Sequence, residues 1–71
     1  MNVQDLVNAV KNHARKNWNK NGWDFIYECY DDSDIVELIG DAKTEKEAIK
    51  RAGRIAKVQD ANRREIQATA W

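Results

Sequence analysis

Over the first eighteen residues the apolar positions Val3, Leu6, Val7, Val10, Ala14 and Trp18 return every three or four places. That spacing puts them on one stripe of an amphipathic helix. Asn2 stands where a side-chain oxygen can cap the helix, and Asp5 faces its exposed amides. Lys11, Arg15 and Lys16 fall off the stripe, in the half where the helix dipole favours cations. The pattern predicts a helix over residues 3–18, closed by the polar, glycine-containing run Asn19-Lys20-Asn21-Gly22.

Residues 23–30 carry two patterns at once. As a strand, Trp23, Phe25, Tyr27 and Cys29 share one side, and the aromatics suit a pleated surface. As a helix, Trp23, Ile26, Tyr27 and Tyr30 form an apolar face while Asp24, Glu28 and Asp31 form a polar one. The helix separates apolar residues from carboxylates more cleanly, with Asn21 as a plausible N-cap and Asp24 in the first turn. The next stretch bears on the choice, because a tight hairpin calls for Asn-Gly or Asp-Gly and Asp31-Asp32-Ser33-Asp34 offers neither. It reads instead as a helix start, with Asp31 or Asp32 as N-cap. Ile35, Leu38, Ile39 and Ala42 then share a face, and Gly40 is the left-handed stop. The β-branched Ile35, Val36 and Ile39 favour the strand.

Thr44-Glu45-Lys46-Glu47 has the form of a capping box, Thr44 covering the Glu47 amide and Glu47 reaching back. Ala48, Ile49, Ala52, Ile55 and Ala56 follow on one side of the helix it opens, and the small pair Ala52-Gly53 permits close approach of another helix. Past Val58 the stripe thins, so the helix is expected to run to about residue 66, with a short edge strand or frayed end over 64–71 as the other option. The expected fold is therefore all-α, a bundle of about four helices over 3–18, 22–30, 32–39 and 45–66. The alternative is αββα, with a hairpin over 23–40.

Seventy-one residues without an internal repeat make a single domain at a size where one core gives marginal stability. Charged residues are 34% of the chain, too evenly mixed in sign to imply disorder. Their order along the chain is uneven. Residues 1–22 set Lys11, Arg15, Lys16 and Lys20 against Asp5, residues 42–71 hold eight bases against four acids, and residues 23–41 hold seven carboxylates and no base. Net charge is zero. The simplest consequence is that basic flanks fold around the acidic middle and neutralise it; the sharper one is an acidic face displayed to a basic partner. One cysteine, Cys29, excludes an internal disulfide, and the lack of a signal peptide or bilayer-length apolar run leads us to expect a cytoplasmic protein with no membrane contact.

Several residues taken together, His13, Asn17, the Gly22-Trp23-Asp24 triplet, Glu28-Cys29, Asp32, Ile35 and Thr44, form a string from about Leu6 to Ile49. It resembles a type of short uncharacterised protein found in actinobacteria and their tailed bacteriophages. That resemblance implies a phage or mobile-element origin and carries no activity with it.

Candidate chemistry is sparse. Cys29 and His13 are the only thiol and imidazole; a nucleophilic pair would need helix 1 to bring them together, and a lone cysteine among aromatics is more often a small buried hydrophobe. Asp24, Glu28, Asp31, Asp32 and Asp34 lack the spacing and the glycine of a calcium loop, so capping and solvation account for them, and neither metal nor cofactor is expected. The reading is therefore a non-enzymatic protein-interaction module, presenting an acidic-aromatic surface of Asp24, Glu28, Tyr30, Asp31, Asp32, Asp34 and Trp71 to a protein partner. A homodimer through the Ala52-Gly53 face would also relieve the small core. The alternative is nucleic-acid binding by Lys50, Arg51, Arg54, Lys57, Arg63 and Arg64, which requires those bases to share a face that excludes the acidic segment.

Overall fold

A computed structural model describes the backbone of residues 2–69 and the side chains of residues 2–65. Among the described residues four helices follow one another: α1 Val3–Lys16, α2 Trp23–Cys29, α3 Asp32–Ile39 and α4 Glu45–Thr69. No strand occurs among the described residues, so the αββα alternative with its hairpin over 23–40 does not hold. The expected all-α bundle is the fold.

The helix ends follow from local chemistry. The Asn2 side chain accepts a hydrogen bond from the Asp5 amide at 2.9 Å, which fixes the start of α1. The helix stops at Lys16, two residues before the predicted boundary. There the Asn17 backbone N–H and side-chain amide both donate to the His13 carbonyl, which closes the last turn. Asn21 does not cap α2 as its composition suggested. It sits at φ 52°, left-handed, and Gly22 precedes the helix at φ 79° with no side-chain cap bond. At α3 the Asp31 side chain takes the Asp34 amide and the Asp34 side chain takes the Asp31 amide, a reciprocal box, and Gly40 at φ 54° ends the helix. The box at α4 is only half made: Thr44 Oγ1 accepts from the Glu47 amide at 3.2 Å, but the Glu47 carboxylate turns to Arg51. α4 runs to Thr69, three residues further than predicted.

The core is built from large residues on three helices against small ones on the fourth. Leu6, Val7 and Val10 of α1, Trp23 and Ile26 of α2, and Ile35 and Ile39 of α3 close on Ala48, Ala52 and Ala56 of α4. The three alanines recur every four residues and leave a shallow groove down α4, into which the neighbours can press to backbone distance. Gly22 uses that groove: a Cβ built on it would lie 2.0 Å from the Ala56 carbonyl oxygen. Gly53 opens another contact, and the Trp23 indole lies over it, 3.3 Å from where a Cβ would stand. His13 meets the same indole edge-on, with ring centroids 4.6 Å apart. Trp23 is thus the plug joining α1, α2 and α4, and it is only 6% exposed.

Alpha-helical rise makes α1 about 21 Å long and α4 about 37 Å. The molecule is accordingly elongated, with extents of 47 × 21 × 18 Å.

Gly22→Ala is expected to cost at least about 2 kcal/mol, because a left-handed φ and a backbone collision act together. Gly53→Ala meets only the rim of one indole and gains helix propensity, so its change should stay within about 1 kcal/mol. Urea unfolding of the two variants beside the parent checks both, and equal losses would mean that the turn does not sit on α4 as described.

Candidate functional site

The charged side chains divide into those used inside the fold and those left facing solvent. Lys11 of α1 contacts Asp32 of α3 at 2.6 Å. Arg51 of α4 spans the far end of α3: it donates to the Ile39 carbonyl at 2.8 Å and bridges Asp41 and Glu47. Arg63 binds Asp24 of α2 and Asp60 of its own helix, each at 2.9 Å, while its guanidinium lies 4.7 Å from the Phe25 ring centroid. Arg64 adds a second contact to Asp60 at 3.1 Å. The basic flanks therefore do fold onto the acidic middle, at Asp24, Asp32 and Asp41.

These pairs set the ionisation of two carboxyls. The hydrogen bond from Lys11, helped by one from Gln4, holds Asp32 below its ordinary value of 3.8. The hydrogen bond from Arg51, with its nearby charge, does the same for Asp41. Both groups lie at the surface, where solvent and salt weaken each contribution.

The proposed acidic-aromatic residues are mostly committed to structure. Asp24 and Asp32 are paired with cations, Asp31 and Asp34 cap α3, and Tyr30 is half-buried against the core. Glu28 is exposed. Trp71 lies outside the described residues. What the sequence did not single out is a different aromatic pair. Trp18, 37% exposed, and Tyr27, 42% exposed, meet edge to face with centroids 5.3 Å apart, just beyond α1 and on the outer side of α2. The sequence pattern kept Trp18 on the core stripe, and only the stop at Lys16 releases that ring from it.

The six candidate nucleic-acid residues split in the same way. Arg51, Arg63 and Arg64 face carboxylates. Lys50, Arg54 and Lys57 are exposed and form no ion pair among the described residues, and Lys46, one turn before Lys50, extends their row. Lys50, Arg54 and Lys57 line a groove of about 310 Å³ with Gly53, Trp23 and Asn21. A second polar groove, about 240 Å³, lies between the α1–α2 turn and α4, walled by Trp18, Asp24, Asp60, Arg63 and Arg64.

The Ala52-Gly53 face considered for a homodimer is occupied within the chain, Ala52 being fully buried and Gly53 lying under Trp23. His13 packs on Trp23 at the start of α2, whereas Cys29 ends that helix about 9 Å along its axis and faces solvent. The two are not brought together. Among the described residues no three of His, Cys, Asp and Glu gather where they could hold a metal ion, and no helix is long and apolar enough to cross a membrane.

The site and fold together define a small all-α domain whose distinguishing features are surfaces. Comparison with known protein families, curated proteins and solved structures gives no match.

Asp32 and Asp41 have native values below their unfolded ones, so their stabilisation is complete above the ordinary carboxylate range and is lost as pH falls through the lowered native values. The double variant Asp32→Asn, Asp41→Asn should show a flatter stability profile between about pH 5 and pH 2 than the parent. Denaturant midpoints across that range test this; parallel profiles would remove both pairs from the account.

Proposed function

We propose that the protein is a non-enzymatic protein-interaction module, an accessory or inhibitor protein of phage or mobile-element type that works in the cytoplasm. The Trp18–Tyr27 pair carries this reading. Tryptophan and tyrosine are favoured anchors of protein interfaces, since each offers a large apolar face and a polar edge at little rotamer cost. Here the two rings already restrain one another at 5.3 Å, so less freedom is lost when a partner closes over them. Glu28, next along α2, supplies negative charge at the rim, and Asp31 and Asp34 add to it at the start of α3. A basic partner surface with an apolar centre fits that arrangement. The cytoplasmic setting rests on Cys29, an exposed free thiol of the kind that a reducing compartment preserves. In the self-association version a second copy covers the same two rings, the Ala52-Gly53 face being filled.

The variant Trp18→Ala, Tyr27→Ala separates these outcomes. Immobilised parent protein should retain a host protein that the double variant loses, or should itself exceed a mass of 8.2 kDa by light scattering where the variant does not. Circular dichroism establishes that the variant keeps its helices. Retention of the same protein by both forms, or a monomeric parent that retains nothing, would overturn the reading.

A further inference from the structure

We infer that the outer face of α4 is a docking surface for the sugar–phosphate backbone of a nucleic-acid duplex. The observation is the way the fold sorts its cations. Arg51 and Arg63, which face the neighbouring helices, are satisfied by Asp41, Glu47, Asp24 and Asp60. Lys46, Lys50, Arg54 and Lys57 are set four, four and three residues apart, which places them on one side of the helix. All four are exposed and none is paired with a carboxylate among the described residues. Of the acids flanking this row, Glu47 is held by Arg51, and Asp60, one turn beyond Lys57, is held by Arg63 and Arg64. Zero net charge thus conceals a row of four uncompensated positive charges.

Dimensions favour a polymer of phosphates. Eleven residues of helix rise about 16 Å, and a duplex strand presents a phosphate about every 3.4 Å along its axis, so the row spans about five phosphates. The surface is also concave, because Gly53 lacks a side chain between Lys50, Arg54 and Lys57, leaving a groove of about 310 Å³. Its floor is an indole edge only 6% exposed, which offers no face for stacking an unpaired base; that argues for a duplex over a single strand. An anionic membrane fits less well, since Ala48, Ala52 and Ala56 are buried in the core and Val58 is the one large apolar side chain exposed on α4 among the described residues, too little to anchor a helix in lipid. Base edges are not addressed by such a row, so binding is of the phosphate-tracking, sequence-independent kind.

The test is anisotropy of a fluorescently labelled 20-bp DNA duplex titrated with the full chain. Binding should weaken about 100-fold between roughly 50 and 200 mM salt, with a log–log slope near −3.6 for four phosphate contacts, and should not change when the duplex sequence is scrambled. Charge reversal by Lys50→Glu, Arg54→Glu and Lys57→Glu should lower affinity by more than about 30-fold, whereas Arg15→Glu, Lys16→Glu and Lys20→Glu, the same charge change elsewhere, should lower it by less than about threefold. A glutamine version of the three α4 substitutions, with circular dichroism on every variant, covers the case in which reversal unfolds the chain. No binding of the parent near 50 mM salt, equal losses in the two charge-reversed variants, or capture by phosphatidylserine vesicles or polyglutamate without capture by the duplex would each overturn the proposal. The Trp18→Ala, Tyr27→Ala variant shares no residue with this surface and should bind the duplex as the parent does.

Discussion

The arrangement of this bundle depends on how closely the α1–α2 turn approaches α4. Gly22 lies against the Ala56 carbonyl with no room for a methyl group, and its left-handed backbone reverses the chain so that Trp23 drops onto Gly53. From that contact the other placements follow. α1 is drawn to α4 through His13 and Trp23, α2 packs against both, and Asp24 comes within reach of Arg63. With only a dozen buried apolar residues among those described, the core has little dispersion energy to distribute, so shortening one interhelix distance to backbone contact matters more than adding side-chain bulk.

Charge then completes what packing begins. Among the described residues three of the seven carboxylates between residues 23 and 41 meet a cation on another element, and each pair joins two parts of the bundle: α1 to α3, the loop after α3 to α4, and α2 to α4. Each such pair at the surface contributes little by itself. Their value is in favouring this rotation of α4, which buries Ala48, Ala52 and Ala56 while bringing Arg51 to Asp41 and the Ile39 carbonyl and Arg63 to both Asp24 and Asp60. The same sorting leaves two faces with distinct chemistry, a ring pair beside carboxylates and a row of uncompensated cations.

Local pattern carried most of the fold. The caps at Asn2, Asp31 and Thr44 and the stop at Gly40 lie near the residues where the structure places them, because each depends on a handful of neighbouring atoms. Where the reading missed, a longer-range interaction had intervened. Asn21 lost its capping role because the turn must present Gly22 to Ala56, and Glu47 left its box because Arg51 lies one turn on. The small pair Ala52-Gly53 was legible as a site of close approach, but not that Trp23 of the same chain fills it. For the surfaces the division was sharper. The six bases carry the same charge, yet only tertiary contacts distinguish Lys50, Arg54 and Lys57, which stay unpaired among the described residues, from Arg51 and Arg63, which meet carboxylates.

Arg51 also closes the far end of α3. Its guanidinium takes the terminal carbonyl of α3 at Ile39 as well as Asp41 and Glu47, while the other end of α3 is tied to α1 by Lys11. A segment of two turns has no helix-forming equilibrium of its own worth the name, since nucleation outweighs the few bonds it closes. α3 therefore owes its helical state to docking, with Ile35 and Ile39 in the shared core and a tie to a neighbour at each end, and is expected to lose that state once it leaves α1 and α4.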